Sequence, residues 1–190
     1  MSERIHEVIL ITRNPDGSPH MAPMGIRQRC NSWLIAPFRP SRTLDNLLRD
    51  GAASINTTDD VRIYAGCLTQ HYDWPLLACE KIEGLRLRDA LSHEEIRVQQ
   101  VKEDTQRPEL SCERIHQVNH RPFSGYNRAQ AAVLELAILV SRLHLLTPEK
   151  LASEIAYLQI AIDKTAGIEE QEAWDWLMRK VHDYRKRQCA

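Results

Sequence analysis

Near residue 122 the chain changes its hydrophobic period, and that change limits the folds open to it. Before "RPFSGYN" the apolar residues come in short β-branched runs separated by turns, whereas "NRAQAAVLELAILVSRLHLL" is apolar almost all round, as a deeply buried helix is. A β-rich first part and a helical last part predict an α+β protein. Residues 1–121 form the β domain of this expectation, and 122–190 a helical region packed on it. With 190 residues, 43% hydrophobic and 27% charged, the chain has enough apolar surface for a packed core.

The turns divide the first part. "IHEVILITR" reads as a strand buried on both faces, "NPDGS" as a turn, and "PHMAPMGIRQR" as a returning strand. Pro19 and Pro23 donate no ladder hydrogen bond, so an edge or a bulge is expected there. "NSWLIAPF" follows an Asn-Ser turn as a third strand. Between 41 and 50 the period becomes helical through Leu44, Leu47 and Leu48, with Ser41 or Thr43 to cap the start and Gly51 to end it. "AASINTT" and "VRIYAGCL" both read as strands, with more strands between 76 and 119. In the helical part Thr147 caps a helix that carries Pro148 in its first turn and the stripe Leu151, Ile155, Leu158, Ile162. Gly167 breaks it, and a last helix presents Trp174, Leu177, Val181 and Tyr184 on one side.

Several function classes have no support. The net charge of −1 makes no electrostatic case for a nucleic-acid partner, and no apolar run is long enough for a membrane span. The first residues lack a signal-type apolar core, which predicts a cytoplasmic protein. Five cysteines without CxxC spacing suit free thiols. No GxGxxG, Walker loop or GxSxG occurs. His116 and His120 lie on a predicted strand, where four residues span roughly 13 Å, so they suggest no shared metal. His71-Tyr72-Asp73-Trp74 is an aromatic loop that suits either a pocket rim or plain surface.

One cluster suggests a ligand. Ser41-Arg42-Thr43 puts two hydroxyls and a guanidinium at a helix start, where free backbone N–H groups favour an anion such as phosphate. Capping plus a surface charge explains the same residues. Tyr126, Asn127 and Arg128 precede the long helix, as a cap or as the edge of a cleft.

"ILITRNPDGSPHMAPMGIR", "PSRTLDNLLRDGAASINTTDD" and "RPFSGYNRAQAAVLELAILVSRL" resemble a family of flavin-reductase-like proteins, DUF447, over nearly the whole chain. The resemblance implies an FMN-binding split β-barrel followed by a C-terminal helical region, and a homodimer with FMN in a cleft between subunits. It implies FMN phosphate at Ser41, Arg42 and Thr43, with Asn46 as a further contact. Ala22, Pro23, Met24 and Gly25 would form a flat wall for the isoalloxazine, and Asn56 and Thr57 would meet the ribityl chain or the pyrimidine edge. A bulged strand also explains the first four, and a turn explains the last two equally well. The activity implied is a flavin-dependent redox step on a substrate the sequence does not name, near methanopterin-type one-carbon metabolism. The alternative is a flavin-carrying or interaction module without turnover.

Overall fold

The computed structural model describes residues 4–29 and 32–188. Cys30 and Cys189, and the Asn31 half of the Asn-Ser turn, lie outside the described residues. The chain divides into two compact units. One comprises residues up to Thr58 together with Trp74–Phe123, and the other Asp59–Asp73 together with the residues from Ser124 onward.

The first unit is a closed antiparallel barrel. Its strands are β1 (Ile5–Arg13), β2 (Pro19–Arg29), β3 (Ser32–Ile35), β4 (Ala52–Thr57), β7 (Ser92–Lys102) and β8 (Glu109–Asn119), in the order β1-β2-β3-β8-β7-β4. A two-stranded hairpin, β5 (Leu76–Ala78) and β6 (Leu85–Leu87), precedes β7. Closure leaves no free outer strand, but the barrel is split locally. β2 pairs with β1 from Pro19 to Arg27 and with β3 only from Arg27 to Arg29. Side chains alternate across the wall. Val8, Leu10, Ile26, Ile35, Ala53, Ile55, Ile96 and Leu110 fill the interior, joined by Leu44 and Leu47 of α1 (Arg42–Asp50). Ile9 and Ile11 of β1 are just as buried on the opposite face, so this strand is covered on both sides along its centre. Ser41 caps α1, its side chain accepting from the Leu44 N–H, and Gly51 ends it at φ 64°, where only glycine is unstrained.

The second unit has an apolar helical core. It contains α2 (Val61–Thr69), α3 (Arg128–Ser141), a 3₁₀ turn (Leu143–Leu145), α4 (Pro148–Thr165) and α5 (Ile168–Gln188). α2 corrects the sequence reading, which made "VRIYAGCL" a strand. The Asp60 side chain accepts from the Arg62 N–H and starts a helix, and Val61 and Ala65 are buried with Val133, Leu136, Trp174 and Leu177. Tertiary packing overrides the β-branched propensity of the segment. The Asn127 side chain caps α3 by accepting from the Ala129 and Gln130 N–H groups, and its amide donates to the Thr165 carbonyl at 3.1 Å. α3 is less uniformly buried than its composition suggests. One face (Ala129, Ala132, Val133, Leu136, Val140) is sealed, while Leu134 and Leu139 are half-buried. Thr147 and Pro148 start α4 as expected. Among the described residues no helix is long and apolar enough to cross a membrane.

Candidate functional site

Of the residues singled out in the sequence, Ser41, Arg42 and Asn46 line one open cleft of about 650 Å³, together with Asn14, Asp16 and Asp45. Arg42 is exposed and has no ion pair among the described residues. It therefore stands as a cation without a direct ion pair beside the positive end of α1, with Asp16 near enough to feel its charge. The next arginine on this helix face is occupied: Arg49 donates to the Asp50 carboxylate, to Asn46 Oδ1 and to the Arg13 backbone carbonyl. Asn46 is 2% exposed and donates to Thr12 Oγ1 at 3.0 Å and Asn14 Oδ1 at 3.3 Å. It fastens α1 to the β1–β2 turn and so fixes where Arg42 stands.

Thr43 is buried, and its hydroxyl meets His20 Nε2 of β2 at 3.1 Å. Burial, and secondarily the Arg42 charge, push the His20 pKa below its ordinary value. Asp16 is held low by hydrogen bonds from Ser18. With Asp16 and Asp45 on its border, the cleft favours an anion only at its Ser41–Arg42 end, while the two carboxylates suit hydroxyl donors. Sequence reasoning read Asn14 and Asp16 as turn formers, which they also are, and passed over His20.

The other predicted residues lie elsewhere. Ala22, Pro23, Met24 and Gly25 are half-buried on β2, where β3 has not yet paired, so among the described residues the backbone edge on that side has no strand partner. Met24 packs against the barrel core. The missing side chain of Gly25 has a local reason: a Cβ there would stand 3.0 Å from Ile5 Cγ2 and 3.1 Å from Glu7 Oε1. Asn56 is fully buried. Its Oδ1 accepts from the Leu87 N–H at 2.9 Å, and its Nδ2 donates to Ser54 Oγ at 3.0 Å and to the Ile9 carbonyl at 3.3 Å, so it anchors β6 to the barrel wall. Thr57 shares a 2.7 Å hydroxyl contact with Ser92 on the rim of a second cleft, with His120, Arg121 and Phe123.

The structure also gathers groups that the sequence reading left out. Inside the barrel, Trp33 Nε1 and Arg114 both donate to the Glu94 carboxylate, and the His6 ring meets Trp33 edge-on at 5.4 Å. The predicted aromatic loop is a loop, and it directly follows the Gln70 C-cap of α2. His71 stacks on Trp176 at 3.9 Å, and the Tyr72 hydroxyl donates to the Cys67 carbonyl. Cys67, Cys79 and Cys112 are free, and burial pushes each thiol up to about 12, which keeps them protonated and poorly nucleophilic.

A six-stranded barrel locally split at β2, followed by a helical region, defines the flavin-reductase-like split-barrel class. Within it, the chain matches the models described as "Protein of unknown function (DUF447) N-terminal domain", over residues 6–121, and "Protein of unknown function (DUF447)", over residues 127–179. It belongs to the DUF447 family. Among solved structures, an FMN-bound DUF447 protein from Methanosarcina mazei is 19% identical, with 94% of this chain and 96% of that chain covered and a TM-score of 0.81. The 2-nitrobenzoate 2-nitroreductase of Pseudomonas fluorescens is 18% identical over 63% of this chain and 66% of its own, with a TM-score of 0.52. The styrene monooxygenase flavin reductase of Pseudomonas putida is 9% identical over 62% and 82%, also at 0.52. At these identities the likeness is one of fold. No curated protein matches the chain.

Proposed function

We propose that the protein binds FMN in its barrel unit and acts as a homodimeric, cytoplasmic FMN-dependent oxidoreductase. The observation that carries the reading is Arg42: an exposed, unpaired guanidinium at the capped start of α1, opening into a cleft. That donor set fits a phosphate monoester. Ser41 flanks it and the α1 N-terminus adds backbone donors, whereas the Thr43 hydroxyl is engaged by His20 and acts through position. Asp16 and Asp45 fit as acceptors for ribityl hydroxyls. The unpaired edge of Ala22–Gly25 offers backbone groups to the edge of a flat ring, approached along the strand rather than over Gly25, whose Cβ direction Ile5 and Glu7 fill. Asn46 and Asn56 act here through position, by holding α1 and β6 in place, and Thr57 remains a rim contact. FMN, when bound, supplies hydride and single-electron chemistry, and these side chains hold and orient it. The bound flavin of the Methanosarcina relative and the flavin reductases of the same fold support this reading. A near-neutral charge supports the absence of a nucleic-acid partner. The substrate class, near methanopterin-type carriers, rests on the family resemblance alone.

The test is titration of the flavin-free protein with FMN, FAD and riboflavin. FMN should bind most tightly. Arg42→Ala should weaken FMN by about 1.5–3 kcal/mol, the worth of a hydrogen bond to a charged group, and riboflavin much less. Equal losses for the two ligands would remove Arg42 from the phosphate site, and preference for FAD would overturn the reading. Reduction of the bound flavin by NAD(P)H separates an oxidoreductase from a flavin-carrying module. Light scattering of the loaded protein tests the dimer.

A further inference from the structure

A second polar cluster lies on the face of the barrel wall opposite its core. Ile96 points into the core, so by alternation His93 and Glu95 of β7 point the other way. Glu95 is the direct cross-strand partner of His116 on β8, which places these two side chains side by side. One residue further along, the β7–β8 ladder carries a bulge, between Glu95 and Ile96. His93 and Glu95 are fully buried, and one ligand atom from each of His93, Glu95 and His116 lies within 4.8 Å of the other two.

Hydrogen bonding alone explains part of this cluster. The Glu95 carboxylate accepts from the backbone N–H groups of Glu80, Lys81 and Ile82 at 2.6, 2.6 and 2.8 Å, and so grips the loop between β5 and β6. It does not explain His116. Its Nε2 is sealed from water and has no hydrogen-bond partner among the described residues, although it stands 3.4 Å from Glu80 Oε1. A sealed nitrogen without a partner is costly, and an aligned ligand would relieve the cost. His93 Nε2 stands at the same distance, 3.4 Å, from Glu95 Oε1. Two ligands held about 2.1 Å from one tetrahedral ion are separated by roughly 3.4 Å, so two edges of a tetrahedron already stand at length. His93 Nδ1 meets His120 Nε2 at 2.9 Å. With its proton on Nδ1, His93 donates to His120 and keeps a lone pair on Nε2 for a metal held between it and Glu95, as metal-bound histidines do. Arg86 faces the same cluster and opposes a cation, but the Glu80 and Glu95 carboxylates outnumber it.

We propose that His93, Glu95 and His116, with Glu80 as the fourth ligand, form a structural site for a divalent metal with the ligand preference of zinc, clamping the β5–β6 loop to β7 and β8. Four protein ligands leave no open position, so the role is structural rather than catalytic. Glu80, with a side chain 58% exposed, is the entry side. The site is separate from the α1 cleft and independent of whether flavin binds.

The full-length protein, stripped with a chelator, is titrated with Co(II) in the visible range and with Zn(II) by calorimetry. One equivalent should bind, with the intense ligand-field absorption of four-coordinate cobalt, and zinc should raise the melting temperature. His116→Ala should abolish that spectrum, and Glu80→Gln, at an exposed side chain that threatens the fold least, should weaken binding. His120→Ala, which removes the partner of His93 Nδ1 without touching a ligand, should cost roughly 10–100-fold in affinity. His182→Ala, on exposed α5 surface, should change nothing. Absence of saturable binding, or binding that survives both His116→Ala and Glu80→Gln, overturns the site.

Discussion

The two units of this chain are built on different principles. Among the described residues, the buried polar Thr12, Thr43, Asn46, Ser54, Asn56, His93, Glu94 and Glu95 belong to the barrel unit, and only Glu170 to the helical unit. The helical core is apolar side chains filling volume: Val133, Leu136, Trp174, Leu177 and Val181 are each at most 2% exposed. In the barrel unit many of the buried groups carry directional bonds, and each bond fixes a second element: Asn46 fixes α1, Asn56 fixes β6, and Glu95 fixes the β5–β6 loop. A volume-filled core tolerates rearrangement and loses stability in proportion to volume removed. A core of directional bonds loses position first. Both candidate sites lie in the barrel unit, where position matters.

The strongest way to break this contrast is to cut the chain after residue 121. The fragment would keep α2 but lose α3, α4 and α5, leaving Val61 and Ala65, which are 2% and 0% exposed in the full chain, with no apolar partners. We expect the fragment to aggregate or to melt without cooperativity. A fragment that also omits residues 59–73, bridged by a flexible linker, should be more soluble. If the 1–121 fragment is soluble, melts cooperatively and binds FMN undiminished, the helical unit is dispensable to the barrel.

A paired substitution sharpens it. Trp174→Ala empties a large volume in the helical core and should cost about 3–5 kcal/mol, read in urea midpoints. Asn56→Ala should cost less, about 1–3 kcal/mol, the price of a buried Leu87 N–H left unpaired. Its signature is local: amide exchange should accelerate along β5 and β6 while the other strands keep their protection. Uniform acceleration after Asn56→Ala would show that the barrel, too, is held by volume alone.

Much of the fold was legible because its signals are contiguous in sequence. Ser41 with Gly51, Asn127, and Thr147 with Pro148 each mark a helix end by a local hydrogen bond or a fixed φ, and each does so in the structure. α2 was not legible. Its nine residues are too few to show a clear period, and its buried side is defined by α3 and α5, far along the chain. The same rule divides the sites. Ser41 and Arg42 are neighbours, so a cleft at the start of α1 could be guessed. Asn56 is a polar residue after a strand until Leu87, 31 residues away, shows that its side chain is already committed. His116 was compared with His120 on its own strand, whereas its neighbours come from β7 across the ladder. Register is a property of strand pairs, and a single strand does not carry it.

The smallest effect concerns pH and the joint between β2 and α1. His20 has its pKa lowered by burial first and by the Arg42 charge second. The folded protein therefore binds this proton less readily than the unfolded chain, whose histidine titrates near the ordinary value of about 6.5. Above that pH the group is neutral in both states and costs nothing. As the pH falls below it, the unfolded state gains a proton that the folded state resists, and stability declines until the folded pKa is reached. One such group gives a slope of at most about 1.4 kcal/mol per pH unit. Urea midpoints between pH 7.5 and 5 should fall more steeply for the wild type than for His20→Gln, which keeps a donor for Thr43 but does not titrate. Some slope should remain, because burial also lowers His93 and His120. Arg42→Ala should flatten the profile slightly by removing the second cause, and a phosphate bound at Arg42 should do the same by offsetting its charge. Identical slopes for wild type and His20→Gln would mean that the β2–α1 contact is indifferent to protonation, and that this part of the barrel, like the helical core, is held by packing.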